Sequence, residues 1–198
     1  MRVQPIPVSP WQANCYLVFT DEDASECLVV DPGVMGADPV RAALTRLDAT
    51  PVALLATHGH FDHIGDAHLL AAEHGIPLYL AAADQHLVTR PGDGLGPQGA
   101  ALMRQLTGTD VAPGIDDVRD YDGAVELAGF RVEPFAAPGH TEGSTLLTVS
   151  DGDATVTFTG DVLFAGTIGR TDLPGGSMSA MRESLRRIAQ LFPADRAL

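Results

Sequence analysis

Only two cysteines occur in the 198 residues, Cys15 and Cys27. They lie too far apart for a redox pair or a zinc knuckle, which need cysteines a few positions from one another. Each sits inside an apolar run, Cys15-Tyr16-Leu17-Val18-Phe19 and Cys27-Leu28-Val29-Val30. Two buried free thiols on neighbouring strands are expected, with a disulfide as the alternative. Bases are scarce as well: 12 Lys and Arg against 26 Asp and Glu give a formal net charge of −14. Such a balance argues against nonspecific capture of nucleic acid or of an anionic bilayer, so no nucleic-acid or membrane partner is expected. An anionic substrate stays open, because a metal ion inverts the field around it. No apolar run approaches the ~18 residues that span a bilayer. Met1 to Trp11 lacks the basic stretch and long apolar segment of a signal peptide. A cytoplasmic protein is the resulting expectation. Hydrophobic residues make up 45% of the chain, which sets disorder aside. The length fits one domain with a sizeable core.

The first third reads as strands. Asn14 to Thr20 is rich in β-formers, the polar stretch 21–26 reads as a hairpin turn, and Cys27 to Asp31 returns before Asp31-Pro32-Gly33 stops it. Val40, Leu44 and Leu47 fall at helical spacing in Asp38 to Leu47, with Pro39 acceptable at the first helical position. Val52 to Ala56 is a short unbroken apolar run, of the kind buried on both faces of a sheet, and it leads directly into His58. Asp62 to Glu73 reads as one helix ended by Gly75, and Pro77 to Leu80 as a strand. Thr89 to Asp120 reads as a long surface excursion holding a short helix around Ala100 to Leu106. Its length favours a functional flap, with Arg90 and Arg104 as its local bases. Val125 to Leu127, Val132 to Ala136, Thr145 to Val149 and Thr155 to Thr159 follow as strands. Met178 to Leu191 closes as a helix, with Met181, Leu185, Ile188 and Leu191 on one stripe and Arg182, Arg186 and Arg187 toward solvent. Two such halves imply two sheets face to face with helices outside.

The chemistry is concentrated in His58-Gly59-His60-Phe61-Asp62-His63. His58 and His60 lie two apart, so an extended segment points both to one side. Gly59 lets the backbone approach or turn between them. Asp62 and His63 follow where the chain enters a helix. Imidazole and carboxylate together suit zinc, iron or manganese, and no thiolate is on offer to select soft metals. Two more segments repeat the event of a strand end followed by a ligand-type residue: Ala136-Ala137-Pro138-Gly139-His140 and Phe158-Thr159-Gly160-Asp161. Taken singly, His140 is an ordinary turn residue and Asp161 an ordinary helix cap. Recurrence at three strand ends raises both, because loops at strand ends are where a rigid sheet holds reactive groups.

With these residues in view, the sequence resembles the metallo-β-lactamase superfamily, whose His-x-His-x-Asp-His signature stands here as His58-Gly59-His60-Phe61-Asp62-His63. Within it the chain is most similar to short single-domain relatives of hydroxyacylglutathione hydrolase (glyoxalase II). Val30-Asp31-Pro32-Gly33, residues 137–144, residues 158–164 and residues 169–176 carry that likeness. The resemblance implies an α/β fold, a four-layer αββα sandwich, with residues 1–198 as one domain. It also implies that His58, His60 and His140 hold one metal, that Asp62 and His63 belong to a second site, and that Asp161 bridges the two. One or two zinc ions are implied, with iron or manganese as alternatives. Asp62 and Asp31 are the two acids implied in catalysis, Asp31 by orienting a ligand or the attacking water, with a plain strand-ending turn as the other reading of Asp31. Family members carry one more ligand histidine shortly after the closing helix. Here residues 192–198 look like the approach to that turn, and the expectation is a chain truncated just before it, with a weaker second metal if that ligand is absent.

The implied activity is hydrolysis of a small thioester, of the hydroxyacylglutathione type, by a metal-bound hydroxide. A thiolate leaves with little help from an acid, given a thiol pKa of about 8.5. Neither Ser144 nor a cysteine is needed as nucleophile, and Thr141 is expected to secure the His140 turn. Arg170 and Asp172 read as a salt-bridged loop, with support of the metal shell or of a substrate carboxylate as the alternative for Arg170. The competing functions are a mononuclear-iron persulfide dioxygenase and a catalytically silent metal-binding protein. A β-lactamase is disfavoured by the lack of a secretory signal, and a nuclease by the lack of basic surface.

Overall fold

Side-chain alternation along the early strands decides the layering. Val18, Leu28, Val30, Ala53 and Leu55 pack to one side, while Leu17, Phe19, Val29, Leu54 and Ala56 pack to the other, as the two-residue period of a strand requires. The structure, a computed structural model, describes residues 1–109 and 111–191. Its first sheet has six strands in sequence order: β1 (Arg2–Val8), β2 (Ala13–Phe19), β3 (Glu26–Val30), β4 (Thr50–Leu55), β5 (Leu78–Tyr79) and β6 (Val118–Arg119). The first three are antiparallel and the last three add in parallel. The second sheet is an antiparallel meander of β7 (Val125–Leu127), β8 (Phe130–Ala136), β9 (Thr145–Ser150) and β10 (Thr155–Phe158). A small hairpin of β11 (Leu163–Phe164) and β12 (Thr167–Ile168) follows.

The inner core lies between the sheets, where Phe130, Val132, Leu147 and Val149 meet Val18, Leu28 and Leu55. On the outer face of the first sheet, α1 (Ala37–Leu47) and α3 (Ala67–His74) bury Val40, Ala43, Leu44 and Leu70 against Leu17, Val29 and Leu54. On the outer face of the second, α5 (Met178–Leu191) presses Met181 and Ile188 onto Leu146 and Ala137. The result is the expected αββα order. Both cysteines are free and buried, on adjacent strands as expected. No helix among the described residues is long and apolar enough to cross a membrane.

Four local expectations change. The helix expected over Asp62 to Glu73 is two helices, α2 (Phe61–Ile64) and α3, separated at Gly65-Asp66. Asp66 leaves the helical run and accepts the backbone N–H of Ala37 at 3.0 Å, which satisfies a free donor at the start of α1. The excursion after Thr89 is more ordered than expected, with a 3-10 turn at Pro91–Gly94, then the twelve-residue α4 (Gly96–Thr107), then β6. On α5, Leu191 is 58% exposed rather than part of the buried stripe, which ends at Ile188. β1 had no counterpart in the sequence reading, because its pattern Val3, Pro5, Pro7 carries two prolines, which strands tolerate only at edges. β1 is indeed an edge. Residues 192–198, the expected approach to a further ligand-bearing turn, lie outside the described residues.

Candidate metal centre

Three ligand-bearing loops leave their strands at one end of the sandwich and meet there. The imidazoles of His58, His63 and His140 are each aimed by what the other ring nitrogen touches. Asp31, just past β3, is 3% exposed and adopts a left-handed backbone at φ 53, a conformation that aspartate tolerates better than most residues. Its Oδ1 accepts the Thr57 N–H at 2.8 Å and its Oδ2 accepts the Thr57 hydroxyl at 2.8 Å. With that hydroxyl proton committed to Asp31, Thr57 Oγ1 is left to accept from His58 Nδ1 at 3.1 Å. His58 Nε2 then carries the lone pair. It is buried and has no hydrogen-bond partner. Asp31 Oδ2 also faces His63 Nδ1 at 3.0 Å, which turns His63 Nε2 inward. The backbone carbonyl of Arg170 receives His140 Nδ1 at 2.8 Å and frees His140 Nε2. Fixing the tautomer through the remote nitrogen is the usual way a protein orients metal-binding imidazoles.

These choices bring the donors together. His58, His60 and His140 offer ligand atoms within 4.8 Å of one another, and so do His58, His63 and Asp161. His60 Nδ1 lies 2.8 Å from His140 Nε2. Asp161 divides its carboxylate between the two groups, with Oδ1 3.3 Å from His63 Nε2 and Oδ2 3.5 Å from His140 Nε2. Asp62 stands beside the second group, Oδ2 3.8 Å from His63 Nε2. All seven residues expected at the site therefore converge. Asp31 sits behind the donors, and His58 is shared by both groups rather than confined to the first.

Burial pushes His58 well below the ordinary imidazole value, and His63, His60 and His140 add to the effect. Burial lowers His60 to about 3, with His140 and His63 contributing and Asp161 and Gly94 opposing. Both rings are therefore neutral at pH 7, the form that binds a cation. Burial acts on His63 in the same sense, yet Asp31, Asp161 and Asp62 outweigh it and hold His63 well above its ordinary value. Burial would raise Asp161, but His63, His140 and His60 keep it below the ordinary carboxylate range. Burial does raise Asp62. An unpartnered, buried His58 Nε2 inside a mixed imidazole and carboxylate set fits one or two divalent cations.

One residue escaped the sequence reading. Asp84, 2% exposed, stands in a 3-10 helix, Ala82–Val88, and ties two ligand loops together. Its Oδ2 accepts the Gly59 N–H at 2.8 Å and the Thr141 hydroxyl at 2.7 Å, while Oδ1 accepts the Gly143 N–H at 2.8 Å. A Cβ on Gly143 would lie 2.5 Å from Asp84 Cγ, and one on Gly59 2.9 Å from Asp84 Cβ, so glycine is required at both. No local pattern around Asp84 announces this, because its partners lie 25 to 59 residues away. Thr141 does secure the His140 turn, and Ser144 is tied to it: Ser144 Oγ accepts the Thr141 N–H at 2.9 Å and lies 2.8 Å from its hydroxyl. Ser144 is 1% exposed, is engaged with Thr141 and is not among the residues lining the cavity.

The centre opens into a cavity of about 770 Å³. Its lining includes Trp11, Leu95, Gln98, Leu102, Phe164 and Arg170, so part of the excursion after Thr89 forms a wall, as expected of a flap. Among the described residues neither Arg90 nor Arg104 lines it. Arg170 is held by Asp172 through Nε at 2.8 Å and Nη2 at 2.9 Å.

A family model described as the Metallo-beta-lactamase superfamily matches residues 8–197. A probable metallo-hydrolase of Bacillus subtilis, YqgX, is 34% identical over 98% of this chain and 86% of its own length. Hydroxyacylglutathione hydrolase GloC of Haemophilus influenzae is 31% identical over 94% of this chain and 83% of its own length. Among solved structures, the BLEG-1 B3 metallo-beta-lactamase superposes with TM-score 0.78 at 33% identity, covering 93% of this chain and 84% of that one. TTHA1623, crystallised in a di-iron-bound form, superposes with TM-score 0.75 at 32% identity, covering 96% and 87%.

Proposed function

The chain belongs to the metallo-beta-lactamase superfamily, and from that premise we propose that it is a metal-dependent hydrolase of small thioesters. The observation that carries the reading is the buried, unpartnered Nε2 of His58, held between His60 and His140 on one side and His63 and Asp161 on the other. The likeness to hydroxyacylglutathione hydrolase GloC supports a thioester, with hydroxyacylglutathione-like compounds as the first to assay. His58, His60 and His140 would hold one cation, and His63, Asp161 and Asp62 a second, of zinc or iron. When bound, such an ion lowers the pKa of a water molecule toward neutrality and polarises a carbonyl oxygen.

The rest is work for the chain's own groups. Asp31 and Thr57 keep His58 and His63 in the ligating tautomer. The cavity walls shed water from the acyl group and align its carbonyl carbon with the donors. Asp62 Oδ2 faces His63 Nε2 at 3.8 Å, so the other carboxylate oxygen of Asp62 would be the one to take the proton of the attacking water. The C–S bond then breaks, releasing a carboxylic acid and a thiol.

Metal content and thioester turnover, measured for wild type and His58→Ala, test the reading. One or two zinc or iron ions per chain with turnover, both largely lost in the variant, are expected. Undiminished hydrolysis by the variant rejects the part given to His58. A single iron with oxygen uptake redirects the function to persulfide oxidation, and a loaded protein that cleaves no thioester is a metal-binding protein only. The likeness to a B3 metallo-beta-lactamase makes a cephalosporin the comparison substrate: faster β-lactam than thioester cleavage would replace the thioester reading.

A further inference from the structure

The distribution of charge and apolar surface around the cavity points to the kind of thioester it takes, an inference resting on the thioester reading above. The carboxylates that line it, Asp31, Asp62 and Asp161, all belong to the metal centre. Beyond that end, Arg170 is the one cation among the described lining residues, and Asp172 already holds its guanidinium bidentately. The chain contains no lysine, so the 12 bases are all arginine. Trp11, Phe61, Leu95, Leu102, Phe164 and Leu173 give the walls a large apolar share, and the polar groups beside them, such as Gln12, Asn14 and Gln98, are uncharged. Three of these are among the most exposed large apolar side chains of the protein, Trp11 at 47%, Phe164 at 43% and Leu102 at 38%. Large apolar groups gathered in the open around one cavity mark a surface that a ligand covers.

A glutathionyl arm brings two carboxylates and an ammonium group into this space, where the described lining offers neutral amides and hydroxyls but, away from the metal end, no uncommitted charge to pair with them. An alkyl chain loses nothing polar and gains the walls. We propose that the preferred substrates are thioesters with uncharged, apolar arms, of the medium-chain acyl class, rather than thioesters of glutathione.

Trp11 is the sole tryptophan and stands in the cavity wall, so its fluorescence reports occupancy without any turnover. The zinc-loaded enzyme is titrated with a non-hydrolysable analogue of S-hexanoyl-N-acetylcysteamine that carries a methylene between carbonyl and sulfur, and with the corresponding lactoylglutathione analogue. In parallel, kcat/KM is measured for the S-acetyl, S-butyryl and S-hexanoyl esters of N-acetylcysteamine and for S-lactoylglutathione. Burial of one methylene corresponds to roughly a fourfold gain, so the hexanoyl ester should exceed the acetyl ester by on the order of tenfold or more even with part of the chain in water. Trp11 emission should move to the blue with the hexanoyl analogue at concentrations where the glutathione analogue has no effect. Leu102→Glu should collapse the hexanoyl-to-acetyl ratio.

Turnover without dependence on chain length, or tighter binding of the glutathione analogue, overturns the proposal and leaves the thioester reading in place. The expected Trp11 response with no hydrolysis of any ester does the reverse: it removes the hydrolase reading and supports the apolar ligand class.

Discussion

Asp84→Asn changes one atom in a residue outside the candidate donor set, and the geometry says it should weaken cation binding. The carboxylate accepts three hydrogen bonds, from Gly59 between two ligand histidines and from Thr141 and Gly143 just after the third. An amide has one acceptor oxygen. Placed toward Gly59 and Thr141, it leaves its NH₂ against the Gly143 N–H, and the opposite flip sets it against the Gly59 N–H. Either way a buried donor meets a donor. At about 1.5–3 kcal/mol for a hydrogen bond to a charged group, and a similar cost for a stranded buried donor, the change should destabilise by roughly 2–4 kcal/mol. For a chain of this size that is a fall in Tm of ~5–15 °C. Because the loops that lose their common tie carry His58, His60 and His140, cation affinity should fall by about 10–100-fold. Thermal unfolding and competition against a chelator of known affinity measure the two quantities. A variant with unchanged Tm, or one that loses stability while binding zinc within twofold of wild type, would refute the idea that Asp84 positions the ligand loops.

Other outcomes follow from the same contacts. Asp31→Asn should lower cation affinity by ~10–100-fold, since an amide oxygen turned to the Thr57 hydroxyl and His63 sets its NH₂ against the Thr57 N–H, and the opposite flip sets it against His63; equilibrium zinc titration decides it. Arg170→Ala should alter cation affinity less than twofold and stability by under about 1 kcal/mol, because its salt bridge to Asp172 is exposed and His140 is held by the residue-170 carbonyl, which alanine retains; a tenfold loss of zinc affinity would show the side chain matters. In chelator-treated protein, His58 and His60 remain neutral when folded but protonate when unfolded, so the unfolded state binds more protons as pH falls below about 6.5. Their part of the stability is present above that value and is lost as pH falls toward 3, the value to which His60 is lowered. His63, raised by its carboxylates, works in the opposite sense, stabilising below about 6.5 and losing its contribution as pH rises. The His63 contribution is already complete below about 6.5 and stays constant there, so the two lowered rings set the trend and Tm of the metal-free protein should fall on acidification from about pH 6.5 to 4; a rising Tm over that interval would contradict the directions of the shifts.

Much of this protein is written in contiguous residues. β-rich and unbroken apolar runs named most of the strands, the stripe of Met181, Leu185, Ile188 and Leu191 named α5 although Leu191 is exposed, and the run from His58 to His63 named the candidate metal centre, because composition, period and donor chemistry are local properties. Even the convergence of His140 and Asp161 was legible, since each follows the end of a strand and a sheet sets strand ends side by side. Three things were decided only by the tertiary structure. The first is which nitrogen of His58, His63 and His140 faces inward, set by Thr57, Asp31 and the Arg170 carbonyl. The second is Asp84, an acid in an alanine-rich stretch whose meaning comes wholly from donors 25 to 59 residues distant. The third is the apolar cavity, where Trp11 and Leu102, ninety-one positions apart, come to line one space. Periodicity tells a side chain which face of its own element it occupies. Hydrogen-bond partners and cavity walls are relations between elements, and only the packed chain brings them into range.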